Sequence, residues 1–495
     1  MSEFCGNPAA ETGEALMPTK PKFDRTRTCV KCKTNSGNLV IRHSVYCRDC
    51  FTPLITTKFR QALEPHINHV STGPRRGALK PSGGLLVAFS GGMGSSVLLD
   101  LVHRIYCANV GSDELKGGRE HPRRSRVWKR IHVCYVKTSD VFPEINDQTA
   151  QIREAVARYE GCEFIPVRVQ DAFDRSWWER VSGDAASSSA EIPVDLNDGD
   201  SEPIAALKAH LRALPTPTAT QSTLSTLTRL LLLYTAHSIG ASHLVLGTSL
   251  TSLSISLISS ISQGGGFVVP QAIQEEWISP FVKRTPETTS WSGEVRLIRP
   301  LREVSLKECT AWVWWHQLSV VGKQRVPISE RTIGSLTKDF IIGLERDYPS
   351  TVSTITKTVG KLAPKGKSGM RCVLCELPTQ QSVQGWKART SIHSFADAPS
   401  PADVATSLPI YLCYSCQTTL TSKSSRSTTS LNSGSLSTTS APDAMDLPTW
   451  AAARLAFGVG IGEEQSATTS TSTNETRESR QSLIKSLVGE FLLDH

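Results

Sequence analysis

Residues 84–96 read GLLVAFSGGMGSS: an apolar run from Gly84 into a glycine turn, with Leu98, Leu99, Leu101 and Val102 at helical spacing behind it. A short continuous apolar run of this kind predicts a strand covered on both faces, as in a parallel sheet. The turn Ser90-Gly91-Gly92-Met93-Gly94-Ser95-Ser96 therefore falls between a buried strand and a helix. At that place backbone N–H groups and the positive end of the helix dipole can hold a phosphate chain. The glycines let backbone approach an anion closely, and the Ser90, Ser95 and Ser96 hydroxyls add donors, so Ser90, Gly91, Gly92, Gly94, Ser95 and Ser96 form the candidate nucleotide-binding set. The turn lacks the terminal Gly-Lys-Ser/Thr of a Walker loop, and it is not the GxGxxG dinucleotide turn.

Working outward, Ile131 to Lys137 (IHVCYVK) predicts a second strand, with a helix over 146–160 behind it, and Glu163 to Val169 (EFIPVRV) a third. Periodicity then lapses over 182–220, apart from an amphipathic piece at Ile204 to Leu214, which marks a surface insertion with disordered parts. The alternation resumes with a helix over 222–239, a strand over 243–246, a helix over 252–262 and a strand over 295–298. The fold class expected is α/β, a parallel sheet flanked by helices, in one domain over 80–350 that carries the insertion at 182–220.

The chain has 495 residues, which rules out a mini-protein that needs disulfides for stability. It holds 39% apolar and 20% charged residues, low enough to expect polar tracts diluting an ordered core. Residues 1–24 are expected to be disordered, as is most of the Ser/Thr-rich stretch 421–480, and 481–495 reads as an amphipathic tail. The formal charge of +8 is uneven: residues 1–130 hold 21 basic and 10 acidic side chains, hence +11, against 33 and 36, hence −3, in the remainder. A positive N-terminal third suits a polyanion. The run Arg119, Arg123, Arg124, Arg126, Lys129 and Arg130 is the leading candidate for phosphate contact, with a solvated loop as the plain alternative. No stretch reaches the roughly 18 apolar residues of a membrane span, and the first twenty residues lack a signal-peptide core, so a cytosolic protein without membrane contact is expected.

Eight of the thirteen cysteines form four Cys-x-x-Cys pairs. Cys29, Cys32, Cys47 and Cys50 lie in a candidate module over 25–60, their pairs fourteen residues apart; Cys372, Cys375, Cys413 and Cys416 lie in another over 368–420, their pairs 37 residues apart. Four thiolates around one tetrahedral Zn²⁺ suit each set, so two structural zinc sites are expected. Redox dithiols are the rival reading, spacing leaves crossed pairing of the sets open, and His43 and His393 are available as competing ligands. Cys5, Cys107, Cys134, Cys162 and Cys309 are isolated and read as inert thiols.

The glycine turn resembles the SGGxDS loop of the PP-loop ATP pyrophosphatases, which adenylate a substrate oxygen and release pyrophosphate. The stretch Gly240 to Gly247 (GASHLVLG) followed by Thr248-Ser249-Leu250-Thr251-Ser252 is similar to the Gly-Ala, strand, Gly-His-Asn-x-Asp-Asp segment of their tRNA-thiolating branch. Arg299-Pro300-Leu301 resembles their Arg-Pro-Leu turn. Three departures matter. Gly94 stands where the family carries an aspartate, Thr251 and Ser252 replace carboxylates that would hold Mg²⁺, and Ala219 to Thr228 has none of the cysteines that handle sulfur or hold an iron–sulfur cluster. The order of motifs resembles the degenerate PP-loop subunits of the eukaryotic wobble-uridine thiolation complex, in a fungal-type form. That resemblance implies a catalytic residue set that is absent here, a catalytic PP-loop thiolation subunit as heterodimer partner, and tRNA-Lys, tRNA-Glu and tRNA-Gln as substrates. It further implies sulfur from a thiocarboxylated ubiquitin-related modifier protein, and ATP with Mg²⁺ used in the complex. A self-sufficient sulfurtransferase and a zinc-containing interaction protein on an inactive scaffold are the competing readings. Trp312, Trp314 and Trp315 read as core or partner packing rather than a base-stacking group.

Overall fold

The computed structural model describes residues 28–42, 44–68, 79, 81–107, 127–128, 130–182, 202–280, 293–324, 326–327, 332–359, 361, 371–379, 412–421 and 447–457. Two three-residue strands, β1 (Leu39–Ile41) and β2 (Ser44–Tyr46), form an antiparallel hairpin that leads into α1 (Arg48–Leu63). On α1, Phe51, Ile55, Phe59 and Leu63 recur every four residues and are all fully buried. That stripe joins the cluster that holds Leu85, Val87 and Val245, so the N-terminal hairpin and helix share the core of the α/β body. Burial of the four side chains contributes on the order of 2 kcal/mol each, before chain entropy is subtracted.

The body alternates as expected: β3 (Gly84–Ala88), α2 (Met93–Val102), β4 (Ile131–Lys137), α3 (Thr149–Ala157), β5 (Cys162–Arg168) and α4 (Arg175–Ser182). After the insertion come α5 (Pro203–Ala213), α6 (Pro217–Ser238), β6 (Ala241–Leu246), α7 (Leu250–Ser262), β7 (Gln274–Ile278), β8 (Glu294–Ile298) and α8 (Leu306–His316). The sheet order is β5-β4-β3-β6-β8-β7, parallel throughout except for β7, which runs antiparallel to β8 at the edge. The chain moves outward from β3 to β4 and β5, then returns to place β6 on the other side of β3. That reversal puts a switch point at the carboxyl ends of β3 and β6, where open α/β sheets present their ligand sites.

Side chains alternate across the sheet. Leu86, Leu244 and Leu297 face a cluster with α6, Trp178 and Trp277; Leu85, Val87, Val133, Val245 and Ile298 face the opposite cluster with α1, α2 and Trp312. The remaining helices, α9 (Ile333–Asp347), α10 (Pro349–Val359), α11 (Tyr414–Thr421) and α12 (Thr449–Phe457), close the body. Helix α12 lies inside the stretch expected to be mostly disordered, and its Trp450 is fully buried against Trp178 and Tyr234. The first part of the insertion, most of the Ser/Thr-rich stretch and the tail 481–495 lie outside the described residues. Among the described residues no helix is long and apolar enough to cross a membrane.

Candidate functional site

The glycine loop sits at the switch point, immediately after β3. Gly91 holds φ +73°, a left-handed conformation that a side chain would strain. Two of its hydroxyls, however, are turned inward. The Ser95 hydroxyl donates to the Gly92 carbonyl at 2.8 Å, the Ser96 hydroxyl to the same oxygen at 3.2 Å, and both serines are buried. Ser90 Oγ lies 3.4 Å from Ser95 Oγ. The segment after α8 runs over the turn: the Gly322 N–H donates to the Gly91 carbonyl at 2.9 Å, and a Cβ on Gly91 would stand 3.4 Å from Val321.

Gly94, which stands where the PP-loop family that the turn resembles carries an aspartate, is in the tightest contact of the loop. A Cβ there would lie 2.1 Å from the Gly247 carbonyl oxygen, and a Cβ on Gly247 would lie 2.5 Å from the Ser95 nitrogen. The two loops that flank the switch point thus meet backbone to backbone, glycine on glycine. Any side chain at position 94 would push them apart.

The second departure is equally structural. Ser249 caps α7 by accepting the Ser252 N–H at 3.2 Å. The Thr251 hydroxyl is buried; it donates to Glu345 Oε2 at 2.7 Å and accepts the Leu306 N–H at 3.0 Å, so it joins α7 to α9 and to the start of α8. Ala219 to Thr228 lies on α6, where Thr223, Leu224 and Leu227 face the core. Leu301 of the Arg-Pro-Leu turn and Val304 just beyond it are buried, and burial holds the Arg299 guanidinium down to about 10, against the helping charge of Glu275. Trp312 is buried and its indole N–H donates to Asp100 at 2.8 Å, while Trp315 meets Phe51 edge-on; both fit the packing role. Trp314 is 71% exposed and so lies outside the core.

The cysteines converge as two groups, each within its own set: Cys29, Cys32, Cys47 and Cys50, and Cys372, Cys375, Cys413 and Cys416, with ligand atoms within 4.8 Å of one another. The two groups therefore do not cross-pair. A tetrahedral metal with bonds of about 2.3 Å to sulfur sets its ligands about 3.8 Å apart. Cys32 and Cys47 Sγ lie 3.8 Å apart and Cys375 and Cys413 Sγ 3.7 Å, far beyond a disulfide bond, so both groups fit such an ion. The knuckles match. Lys33 N–H donates to the Cys29 carbonyl and Glu376 N–H to the Cys372 carbonyl, each at 2.8 Å, and both Lys33 and Glu376 hold φ 57°.

Their surroundings differ. All four C-terminal cysteines are buried, whereas Cys32 and Cys50 are partly open to solvent. Hydrogen bonds from the Thr34 hydroxyl and the Asn35 N–H hold the Cys32 thiol down to about 6. Burial, then the hydrogen bond with Cys47, pushes Cys50 up to about 12. In the C-terminal group burial pushes Cys372 up, but hydrogen bonds with its three neighbours draw it well below the thiol range; hydrogen bonds with Cys372 and Cys413 drive Cys375 well above that range, and those with Cys372, Cys375 and Cys413 do the same to Cys416. Four thiols this close cannot all ionise alone; a divalent cation would let them.

Glu376, which the sequence reading did not single out, anchors the C-terminal knuckle. Its carboxylate accepts the Tyr234 hydroxyl and the Trp277 indole N–H (2.7 Å), while Arg229 donates to the Cys375 carbonyl at 2.9 Å and pairs with Glu275. A glutamate directly after Cys-x-x-Cys was the signal available in the sequence. Burial raises the thiols of Cys134 to about 12 and Cys162 to about 11, and raises Cys309 as well, in keeping with inert cysteines. Of the basic run, Arg119, Arg123, Arg124, Arg126 and Lys129 lie outside the described residues, as do Cys5, His43 and His393. Arg130 is exposed, and its carbonyl accepts the Leu85 N–H at 3.3 Å.

A mostly parallel α/β sheet flanked by helices, with an SGG turn at its switch point and a four-cysteine knuckle packed near each end of the chain, is the arrangement expected from the resemblance to the PP-loop ATP pyrophosphatases. Residues 332–418, from the start of α9 into α11, match the family model described as cytoplasmic tRNA 2-thiolation protein 2. Proteins of that name are similar over most of the chain. The one from Xenopus tropicalis is 28% identical over 410 residues, 72% of this chain and 73% of the relative. That from Phaeosphaeria nodorum is 27% identical over 81% of this chain and 96% of the relative, and the human one 27% identical over 79% of each. The resemblance of this chain is therefore to cytoplasmic tRNA 2-thiolation protein 2, a fungal relative included. Among solved structures, the U34-tRNA thiolase NcsA from Methanococcus maripaludis with its [4Fe-4S] cluster aligns with a TM-score of 0.42 at 15% identity, covering 69% of this chain and 91% of that one.

Proposed function

We propose that the chain is the non-catalytic, RNA-binding subunit of a cytosolic tRNA wobble-uridine thiolation complex. The observation that carries this reading is the meeting of Gly94 with Gly247, with the Ser95 and Ser96 hydroxyls spent on Gly92, at the place where related folds hold a triphosphate. Thr251, the residue in place of a metal-binding carboxylate, is committed to Glu345 and Leu306. Adenylation of U34 O2 in tRNA-Lys, tRNA-Glu and tRNA-Gln then falls to a catalytic PP-loop partner. The sulfur comes from a thiocarboxylated ubiquitin-related modifier. The likeness to cytoplasmic tRNA 2-thiolation protein 2 supports this assignment and its cytosolic address.

In this reading the chain supplies shape. Cys29, Cys32, Cys47 and Cys50, and Cys372, Cys375, Cys413 and Cys416, hold structural zinc, and the basic N-terminal third, including the run Arg119 to Arg130, contacts tRNA phosphate. The test is reconstitution with unmodified tRNA, ATP, Mg²⁺ and a sulfur donor. The chain alone should form no 2-thiouridine, and addition of the partner should restore it. Thiolated tRNA formed by the chain alone would overturn the assignment.

A further inference from the structure

A cavity of about 390 Å³ lies apart from the glycine loop and from both cysteine groups, lined by Val141, Phe142 and Pro143 after β4 and by Lys208, Leu211 and Arg212 on α5. Its size falls in the range of small-molecule sites. Val141 is buried, and Phe142 and Leu211 pack against the sheet-face core, so the floor is apolar and fixed by the body. Lys208 and Arg212 stand one turn apart on one face of α5. No ion pair among the described residues involves either of them.

Two acids of the adjoining loop share one cation. Lys137 Nζ lies 2.7 Å from Asp140 and 3.0 Å from Asp147, and Gln170 donates to Asp140 at 2.8 Å. Glu144, beside Pro143, is exposed and outside any ion pair among the described residues. Strands β3 and β4 are parallel and in register, Ala88 opposite Cys134, so the loop that lines the cavity leaves the same sheet edge as the glycine loop. An apolar floor beside two cations outside any ion pair among the described residues suits a ring attached to a phosphate. An acidic peptide would use the cations but not the floor.

We propose that this cavity takes one nucleotide of single-stranded RNA, its base against Phe142 and Pro143 and its phosphate between Lys208 and Arg212. The inference rests on the tRNA-thiolation reading above and assigns that reading a contact. The test uses the full-length chain, purified with the protein that accompanies it, titrated into fluorescently labelled tRNA at several salt concentrations. Lys208→Gln with Arg212→Gln should weaken binding about tenfold or more at low salt and lower the slope of log affinity against log salt by about 1 to 2. Phe142→Leu should weaken it about fivefold with the slope unchanged. Unchanged melting temperatures check the fold, and Lys208→Gln alone, with half the slope change, serves if the double variant does not fold. Parent-like binding by all variants overturns the cavity assignment and leaves the tRNA reading standing. A parent that binds no RNA overturns both. Variants that keep RNA but lose the accompanying protein make the cavity a seat for an acidic peptide, which also overturns the proposal.

Discussion

The C-terminal cysteine group and the glycine loop belong to one fold and are opposites in how their polar groups are spent. At the cysteines, four sulfurs converge within 4.8 Å and their proton affinities are driven apart by one another. At the loop, hydroxyls are satisfied by the loop's own backbone, and the closest approach is glycine to glycine. Convergent donors without other partners mark a place built for a ligand. Hydroxyls closed on their own backbone are not offered to a ligand. The N-terminal cysteine group lies between the extremes, with the same knuckle hydrogen bonds as its C-terminal counterpart but two of its thiols facing solvent.

The contrast breaks most visibly at the cysteines. Cys375→Ser removes a ligand from a fully buried group that shares a core with α6, Trp277 and Trp450. It should abolish one bound metal by elemental analysis and cost about 3–5 kcal/mol in denaturant melts. Cys32→Ser should also lose one metal, yet cost only about 1–2 kcal/mol, because that knuckle is half open. Equal losses from the two variants would erase the distinction drawn between the two groups.

Gly94→Asp introduces the residue that the PP-loop family resembled by the loop carries there. With the Gly247 carbonyl where its Cβ must go, the variant should be destabilised by about 2–3 kcal/mol and gain no pyrophosphate release. A stable, ATP-using variant would mean that the loop is open after all.

Glu376→Gln sharpens the link between metal site and sheet. A carboxylate that accepts from Tyr234 and Trp277 is replaced by an amide with a single acceptor oxygen, which leaves one buried donor without its partner. The expected cost is about 1–2 kcal/mol with metal content unchanged. Loss of metal along with stability would make Glu376 part of the metal site itself.

Much of the fold was legible because the central strands are covered on both faces. Ile131–Lys137 coincides with β4, and Gly84–Ala88, Cys162–Arg168, Ala241–Leu246 and Glu294–Ile298 fall within two residues of the strands expected. Edge strand β7 was not, since Gln-Glu-Glu-Trp-Ile carries two acids. Its Glu275 is buried only because Arg229, far away in sequence, pairs with it. The cysteine groups could be read from spacing, because a knuckle is a local structure. That the C-terminal group would be built into the core of one sheet face, and Leu39 and Phe51 beside the N-terminal group into the other, could not, since it depends on long-range contacts such as Arg229 with Cys375 and Lys58 with Glu308 at 2.5 Å. The missing aspartate at Gly94 was plain in the sequence; the reason no aspartate fits became plain only when Gly247 was placed against it.

The most direct measurement is calorimetric titration of the purified chain, free of partner, with ATP and Mg²⁺. A closed loop predicts no saturable heat at millimolar nucleotide and no rise in melting temperature. Saturable, Mg²⁺-dependent binding abolished by Gly91→Val would contradict it.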